Sequence, residues 1–393
     1  MAIKTQKHIN KQTIRLFFIN IEVYRILITG YLHSHSKNMH SNNEELALRL
    51  KIILDTVYLA NPATKGIAIH IESPKYNLSW NSAVGFANLK GKVLTAQMPA
   101  NIASTTKTYI AAAILRITEE YNLKTSTPIA AVISEKSNAL LTKAGYKTHL
   151  ISVANLVTNT SGIYDYVNTQ AYQSLTQSNP KHRWTRDEQI ALAISNGNYI
   201  EDAGERFAYS ETNYLLLTEI IEHFTKKPFH IAVRDLLKFN QFNLNHTWFL
   251  LQENKPLQLP DLVEQTATGY NVNSYTLDYS FDAFGGGGLA STVTDMANFS
   301  QHLFDGNIFN NSATKEKLFT TIQTKDGIAP TYSFGLMHTN VLTYKAYGHG
   351  GFWGTHLKYI PELNLSIGVY VLERDTWQVY NTLIDELVKE ITK

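Results

Sequence analysis

Apolar and polar positions alternate in two different ways along this chain. Period-two alternation and short apolar runs mark strands, whereas apolar residues recurring every three to four positions mark helices. Near the front, residues 45–59 have helical spacing. Residues 66–72 and 77–80 read as strands joined by Ser73-Pro74-Lys75, a hairpin signal. Near the end, residues 356–360 and 365–372 form a second strand pair around Pro361-Glu362-Leu363-Asn364, and a helix over 377–391 follows. Between the two ends the period turns helical, at 108–120, 187–195, 213–224 and 228–237. Strands from both chain ends with helices between them predict an α/β protein of the α+β type. Its antiparallel sheet is built from both termini and flanked by helices, with a helical subdomain inserted. The expected division is an extension and linker at about 1–43 and one domain at about 44–393. Within that domain the α/β part takes about 44–125 and 285–393, and the helical part about 126–284.

Composition narrows the picture. The 393 residues are 44% hydrophobic and 17% charged, which fits a folded globular protein. Lys plus Arg is 35 and Asp plus Glu is 33, a net charge of +2. That balance gives no case for nucleic acid as a partner, which requires a clustered basic face. With no cysteine, disulfides, thiolate nucleophiles and Cys-ligated zinc are excluded. There is no His-Glu-x-x-His motif, and His33, His35 and His40 lack a nearby carboxylate, so neither a metal nor an organic cofactor is expected. No Gly-x-Ser-x-Gly elbow is present. The glycines of residues 85–92 have the wrong spacing for a phosphate loop.

Lys4, Lys7, Lys11 and Arg15 precede an apolar stretch at 16–32, the order of a signal peptide or membrane anchor. Glu22 and Arg25 interrupt it, and a charge at the bilayer centre costs about 2.5–3.5 kcal/mol. Two readings stand. The first is an exported protein, periplasmic or membrane-anchored, that meets a membrane only through this segment. The second is a solvated amphipathic extension, or a start placed too early with Met39 as the true one.

The candidate chemistry begins with Ser-x-x-Lys. Residues three apart on a helix share a face, so the lysine can reach the serine hydroxyl. The spacing occurs four times. Ser34–Lys37 lies in the polar linker, and Ser178–Lys181 contains Pro180, which disfavours helix at the residue before it. Ser312–Lys315 reads as a helix N-cap. Ser104–Lys107 differs, because Ile102-Ala103 leads in and an Ala- and Ile-rich helix follows. A lysine on the first turn of so apolar a helix is expected to be partly buried, which favours its neutral amine. Two further segments join it. Tyr209-Ser210-Glu211 precedes an apolar helix, and Tyr347-Gly348-His349-Gly350-Gly351-Phe352-Trp353 leads into a strand.

In this order the segments resemble the serine β-lactamases and penicillin-binding DD-peptidases, particularly the branch of class C β-lactamases and D-alanyl-D-alanine carboxypeptidases. Ser104-Thr105-Thr106-Lys107 matches the nucleophile motif, Tyr209-Ser210-Glu211 the Tyr-x-Asn element, and His349-Gly350-Gly351 the Lys-Thr-Gly element or its His-x-Gly variant. Residues 156–162 and 287–292 are similar as well. The resemblance implies a β-lactamase/transpeptidase-like fold and acyl transfer through a covalent intermediate. Ser104 would be the nucleophile, and Lys107 and Tyr209 would together take its proton. The backbone N–H groups of Ser104 and Phe352 would form the oxyanion hole. Glu211, His349, Gly350 and Gly351 would line the substrate. The expected partner is a small molecule or peptide: a cell-wall peptide, a β-lactam or an ester.

Two residues depart from the pattern. An ionised Glu211 can only accept hydrogen bonds where the usual Asn donates, and beside Lys107 it would favour the ammonium. His349 in place of Lys lowers the fixed positive charge available to a substrate carboxylate. Weak or absent cephalosporin turnover is therefore expected. Three functions fit: a DD-carboxypeptidase-like hydrolase, an esterase or other amide hydrolase on the same scaffold, and a catalytically silent binding protein.

Overall fold

The structure, a computed structural model, describes residues 39–195, 202–328 and 331–393. The apolar stretch at 16–32, the Ser34–Lys37 pair, His33 and His35 lie outside them. The chain divides into two units, Met1–Leu50 and Lys51–Lys393, and the sheet and the site belong to the second. Among the described residues no helix is long and apolar enough to cross a membrane.

Helix α1 (Met39–Ala60) starts inside the run read as a linker. Strand β1 (Gly66–Ser73) is reversed into β2 (Leu78–Gly85) by a Pro74–Tyr76 turn and Asn77, which takes the left-handed conformation at φ 48° that asparagine tolerates. After β3 (Ala100–Asn101) come α2 (Thr106–Glu120), α3 (Glu135–Lys143), α4 (Val153–Val157), α5 (Gln170–Ser178), α6 (Arg186–Ser195), α7 (Glu211–Thr225) and α8 (Phe229–Leu236). Short strands β4 (Trp248–Phe249), β5 (Thr266–Ala267), β6 (Val272–Asn273) and β7 (Leu289–Ser291) lead to α9 (Val293–Phe304) and α10 (Ser312–Glu316). The chain ends with β8 (Met337–Val341), β9 (Tyr344–Gly351), β10 (Thr355–Ile360), β11 (Leu365–Val371) and α11 (Gln378–Ile391).

The main sheet has the order β2-β1-β11-β10-β9-β8, antiparallel throughout. The sheet is thus built from both chain ends, with Ile67 opposite Val371 where they meet. Helix α9 packs over β11, β1 and β10, stacking Phe304 on Tyr359 with ring centroids 4.2 Å apart. Strands β8 and β9 were not anticipated. Their alternation is broken by His338, Lys345, His349 and the glycines 348, 350 and 351. The Ser312 cap expectation is corrected by one residue: Asn311 caps α10, its side chain accepting the Thr314 N–H at 2.9 Å.

Two helices have no solvent face along most of their length. In α2 every residue from Thr106 to Ile117 is buried, and in α7 every residue from Glu211 to Ile221. A helix apolar on all sides belongs in a core, and both run through the largest apolar cluster. They pack side by side. The N-terminal turn of each therefore opens on one interior point.

Candidate active site

The segment that carries Ser104 is fixed from several directions. Asn101 N–H donates to Gln265 Oε1 at 3.0 Å, and Gln265 Nε2 donates back to the Asn101 and Trp353 carbonyls, each at 3.1 Å. Ala103 follows at φ 44°, a left-handed alanine, with its N–H held by Asn101 Oδ1 at 2.9 Å. Such a conformation costs on the order of 1–3 kcal/mol and persists only where its surroundings enforce it. Residues Ala103–Thr105 make one tight turn that runs into α2. Thr355 Oγ1 donates to the Ile102 carbonyl at 2.8 Å. A Cβ on Gly351 would overlap both that carbonyl and Thr355 Oγ1. Only glycine permits this approach, which brings the Gly351–Phe352 end of β9 against the Ser104 turn.

Lys107 is the second residue of α2 and has no solvent exposure. Its Nζ lies 3.0 Å from Ser104 Oγ, 2.5 Å from Glu211 Oε2 and 2.5 Å from the Gly286 carbonyl. Ser104 Oγ in turn donates to Glu211 Oε1 at 3.2 Å. Tyr209 stands half-buried two residues before α7 begins, beside Ser104. Its ring centroid lies 5.1 Å from Lys107 Nζ. Burial and the nearby Glu211 charge push the Tyr209 pKa well above its ordinary value, so it stays a phenol and a donor. The structure therefore brings Ser104, Lys107, Tyr209 and Glu211 together around one hydroxyl. Glu211 is the first residue of α7, where the helix dipole favours a negative charge. The residue is 9% exposed and its carboxylate is held by Ser104 and Lys107.

Two acidic residues at this site were missed in the sequence. Asp165 Oδ1 accepts the Glu211 N–H at 3.2 Å, and Asp282 lies beside Gly287. Burial first and the Glu211 charge second push Asp165 up to about 7 and Asp282 up to about 8. Neither aspartate carries a motif or a periodic spacing, so only the fold reveals them. Gln265 likewise has no local signature. Among the described residues no cluster of His, Asp or Glu is arranged to hold a metal ion.

His349 is where the structure departs furthest from expectation. It lies in the body of β9, 2% exposed. Its Nδ1 is 2.7 Å from the Gly350 carbonyl and its Nε2 is 3.1 Å from the Tyr332 hydroxyl. A carbonyl only accepts, so Nδ1 carries the hydrogen and Nε2 accepts from Tyr332. Burial and the Lys107 charge push the imidazole down to about 3. His349 is therefore a neutral, fully engaged ring, and it does not face a substrate anion. Gly350 sits against the ring of His356, which a Cβ would approach to 2.6 Å.

The sequence matches the Beta-lactamase family over residues 67–389. The chain belongs to this family, whose fold carries serine hydrolases. It is 25% identical over 257 residues to PbpX of Bacillus subtilis strain 168, which bears a penicillin-binding protein's name; the match covers 65% of this chain and 58% of that one. It is 26% identical over 206 residues to the N-acetylmuramyl-L-alanine amidase of the same organism, covering 44% and 46%. The chain spans about half the length of the curated relatives it matches. Among solved structures it is similar to the D-amino acid amidase of Ochrobactrum anthropi SV3 (TM-score 0.71, 19% identity, covering 89% of this chain and 100% of that one). It is also similar to an octameric penicillin-binding protein homologue from Pyrococcus abyssi (TM-score 0.66, 22% identity, covering 85% and 76%). At these identities the structural likeness establishes the fold.

Proposed function

We propose that this β-lactamase-family chain is a serine hydrolase that cleaves a small amide or ester through an acyl-enzyme on Ser104. One observation carries the reading: the Ser104 hydroxyl is held at once by the Lys107 amine and the Glu211 carboxylate, beside the Tyr209 phenol, at the mouth of two buried helices. A capping serine needs none of these partners. Ser104 attacks the substrate carbonyl, Lys107 steadies the charge that develops on Oγ, and Tyr209 donates toward the reacting atoms. The backbone N–H groups of Ser104 and Phe352 receive the oxyanion, and the clamp of Gln265, Thr355 and Gly351 keeps those two segments adjacent.

The absence of charge on His349 favours an amidase or esterase whose substrate needs no carboxylate anchor at the third motif. The named relatives include a D-amino acid amidase, which makes amides of D-amino acids the first compounds to test. A second reading, D-alanyl-D-alanine carboxypeptidase, has one observation in its favour. The Arg374 guanidinium lies 5.1 Å from the Phe352 ring centroid and 4.5 Å from that of Tyr270. It is a cation beside the oxyanion turn that could hold a terminal carboxylate. That reading goes with export of the protein, and the first does not require it.

Intact mass after incubation with a fluorophosphonate and with a penicillin tests the proposal. A stoichiometric adduct on the unmodified chain and none on Ser104→Ala is expected. No Ser104-dependent adduct with either reagent would leave the silent binding protein as the better account. Turnover of D-amino acid amides, p-nitrophenyl esters and an acyl-D-alanyl-D-alanine peptide then separates the two readings. Rapid nitrocefin hydrolysis would contradict the charge argument behind the first reading.

A further inference from the structure

We infer that Glu211, standing where the family pattern has asparagine, is the general base that takes the Ser104 proton, and that Lys107 acts as a fixed ammonium. The inference rests on the acyl-enzyme reading above and assigns the proton within it.

The hydrogen-bond inventory leads to this assignment. An ammonium has three N–H donors and no lone pair, whereas a carboxylate and a carbonyl only accept. Lys107 Nζ faces the Gly286 carbonyl, Glu211 Oε2 and Ser104 Oγ, one acceptor for each of its three hydrogens. To act as a base it would have to turn a lone pair toward Ser104, and a carboxylate 2.5 Å away holds its third proton in place. The Ser104 hydrogen then has one recorded acceptor that can take it, Glu211 Oε1 at 3.2 Å. Tyr209 is a phenol already carrying its proton. A Cβ at position 286 would overlap Glu211 Oε2, so Gly286 is the residue that lets the carboxylate lie flat against both Lys107 and Ser104.

In the step itself, Ser104 Oγ bonds to the carbonyl carbon as its proton passes to Glu211 Oε1, and the carbonyl π electrons move onto oxygen. Collapse of that oxyanion restores the carbonyl and breaks the bond to the leaving nitrogen or oxygen. The leaving atom takes the proton back from the Glu211 carboxyl. In deacylation water loses its proton to Glu211, its oxygen bonds to the acyl carbon, and Ser104 Oγ leaves and is reprotonated from Glu211. The carboxylate and the hydroxyl are both regenerated.

The test compares acylation rates of the unmodified chain, E211N, E211Q and E211A, using the fluorophosphonate and a p-nitrophenyl ester, with circular dichroism to verify folding. E211N recreates the family's Tyr-x-Asn pattern. Loss of a general base is expected to slow acylation about 10²- to 10⁴-fold in both E211N and E211Q. If Lys107 and Tyr209 were the base, E211N would match or exceed the unmodified chain, and a rate within about threefold would overturn the assignment. E211A leaves space for a small carboxylate, so added formate should restore acylation in proportion to its concentration while equal sodium chloride does not. Absence of formate rescue in a folded E211A would also count against it. Should the unmodified chain itself show no Ser104 adduct, the acyl-enzyme reading falls and takes this one with it. A labelled chain with a fast E211N refutes only the role of Glu211.

Discussion

Replacing Lys107 by Met and Glu211 by Gln, singly and together, measures whether the two side chains are an ion pair. At the 2.5 Å separation of Nζ and Oε2, unit charges attract by about 6–7 kcal/mol at an effective dielectric of about 20. Desolvation offsets much of this, because Lys107 has no exposure and the Glu211 side chain is 11% exposed. Removing one partner leaves the other charge buried and alone, which costs about 3–5 kcal/mol. Against a total stability of about 5–15 kcal/mol, each single variant should be severely weakened. The double variant K107M/E211Q strands no charge and should lose about 2–3 kcal/mol less than the sum of the singles. Urea unfolding followed by tryptophan fluorescence supplies the four free energies, provided the slopes agree across variants. If the singles add to the double within about 0.5 kcal/mol, the side chains are not coupled. Lys107 would then be free to be neutral, and the reasoning that makes it an ammonium would fail.

Three further outcomes follow from other parts of the structure. Gly351→Ala should force β9 away from the Ile102 carbonyl and Thr355 Oγ1, and kcat/KM should fall about 10²-fold, as for a misplaced reacting group; an unchanged value would show that this contact does not set the site. Tyr109 is fully buried and stacked 3.6 Å from Phe299, yet its hydroxyl has no partner, so Tyr109→Phe should stabilise the fold by about 1 kcal/mol, read from the urea midpoint. Glu373 accepts from Lys65 at 2.9 Å, Thr266 Oγ1 at 2.8 Å and Thr268 Oγ1 at 2.6 Å. Burial alone would raise its pKa, but these donors draw it down to about 2. The lowered folded value means its contribution is present above the ordinary 4.5 and is lost as pH falls toward about 2. Glu373→Gln should therefore cost about 1–2 kcal/mol at neutral pH, allowing for screening by solvent. Its deficit against the unmodified chain should vanish over that acid range, and a gap that persists at the acid end would refute the linkage.

What could be read in the sequence was whatever a short stretch of chain decides for itself. The sheet from both termini was legible because β1, β2, β10 and β11 each carry their own alternation and turn residues. Ser104, Lys107 and Tyr209 were legible because the helices that hold them begin within a few residues. Strand β9 was not, because three of its eight residues are glycines needed for close approach and leave no apolar rhythm. The state of His349 was illegible for another reason. Its neutrality depends on burial and on the Lys107 charge, and its ring partner Tyr332 arrives from 17 residues upstream, none of which a local pattern encodes. Asp165, Gln265 and Asp282 reach the site from loops far apart in sequence, placed by tertiary packing alone. Glu211 was visible as a departure, but its bonds to Ser104 and Lys107 were not.

The two departures from the family pattern act on charge in the same direction. By resemblance, the pattern pairs a neutral Asn with a cationic Lys in the third motif, so Lys107 would face a second positive charge and lose its proton more readily. In this chain the third motif supplies a neutral ring, and the Asn position supplies an anion 2.5 Å from Nζ. Neither change adds positive charge for an anionic substrate. Arg374 lies over the Tyr270 and Phe352 rings, beside the turn that follows β9. Turnover of an uncharged amide should accordingly be insensitive to salt. Turnover of a carboxylate-bearing peptide, if it occurs, should fall as salt screens Arg374, and that contrast separates the two substrate classes without altering the enzyme.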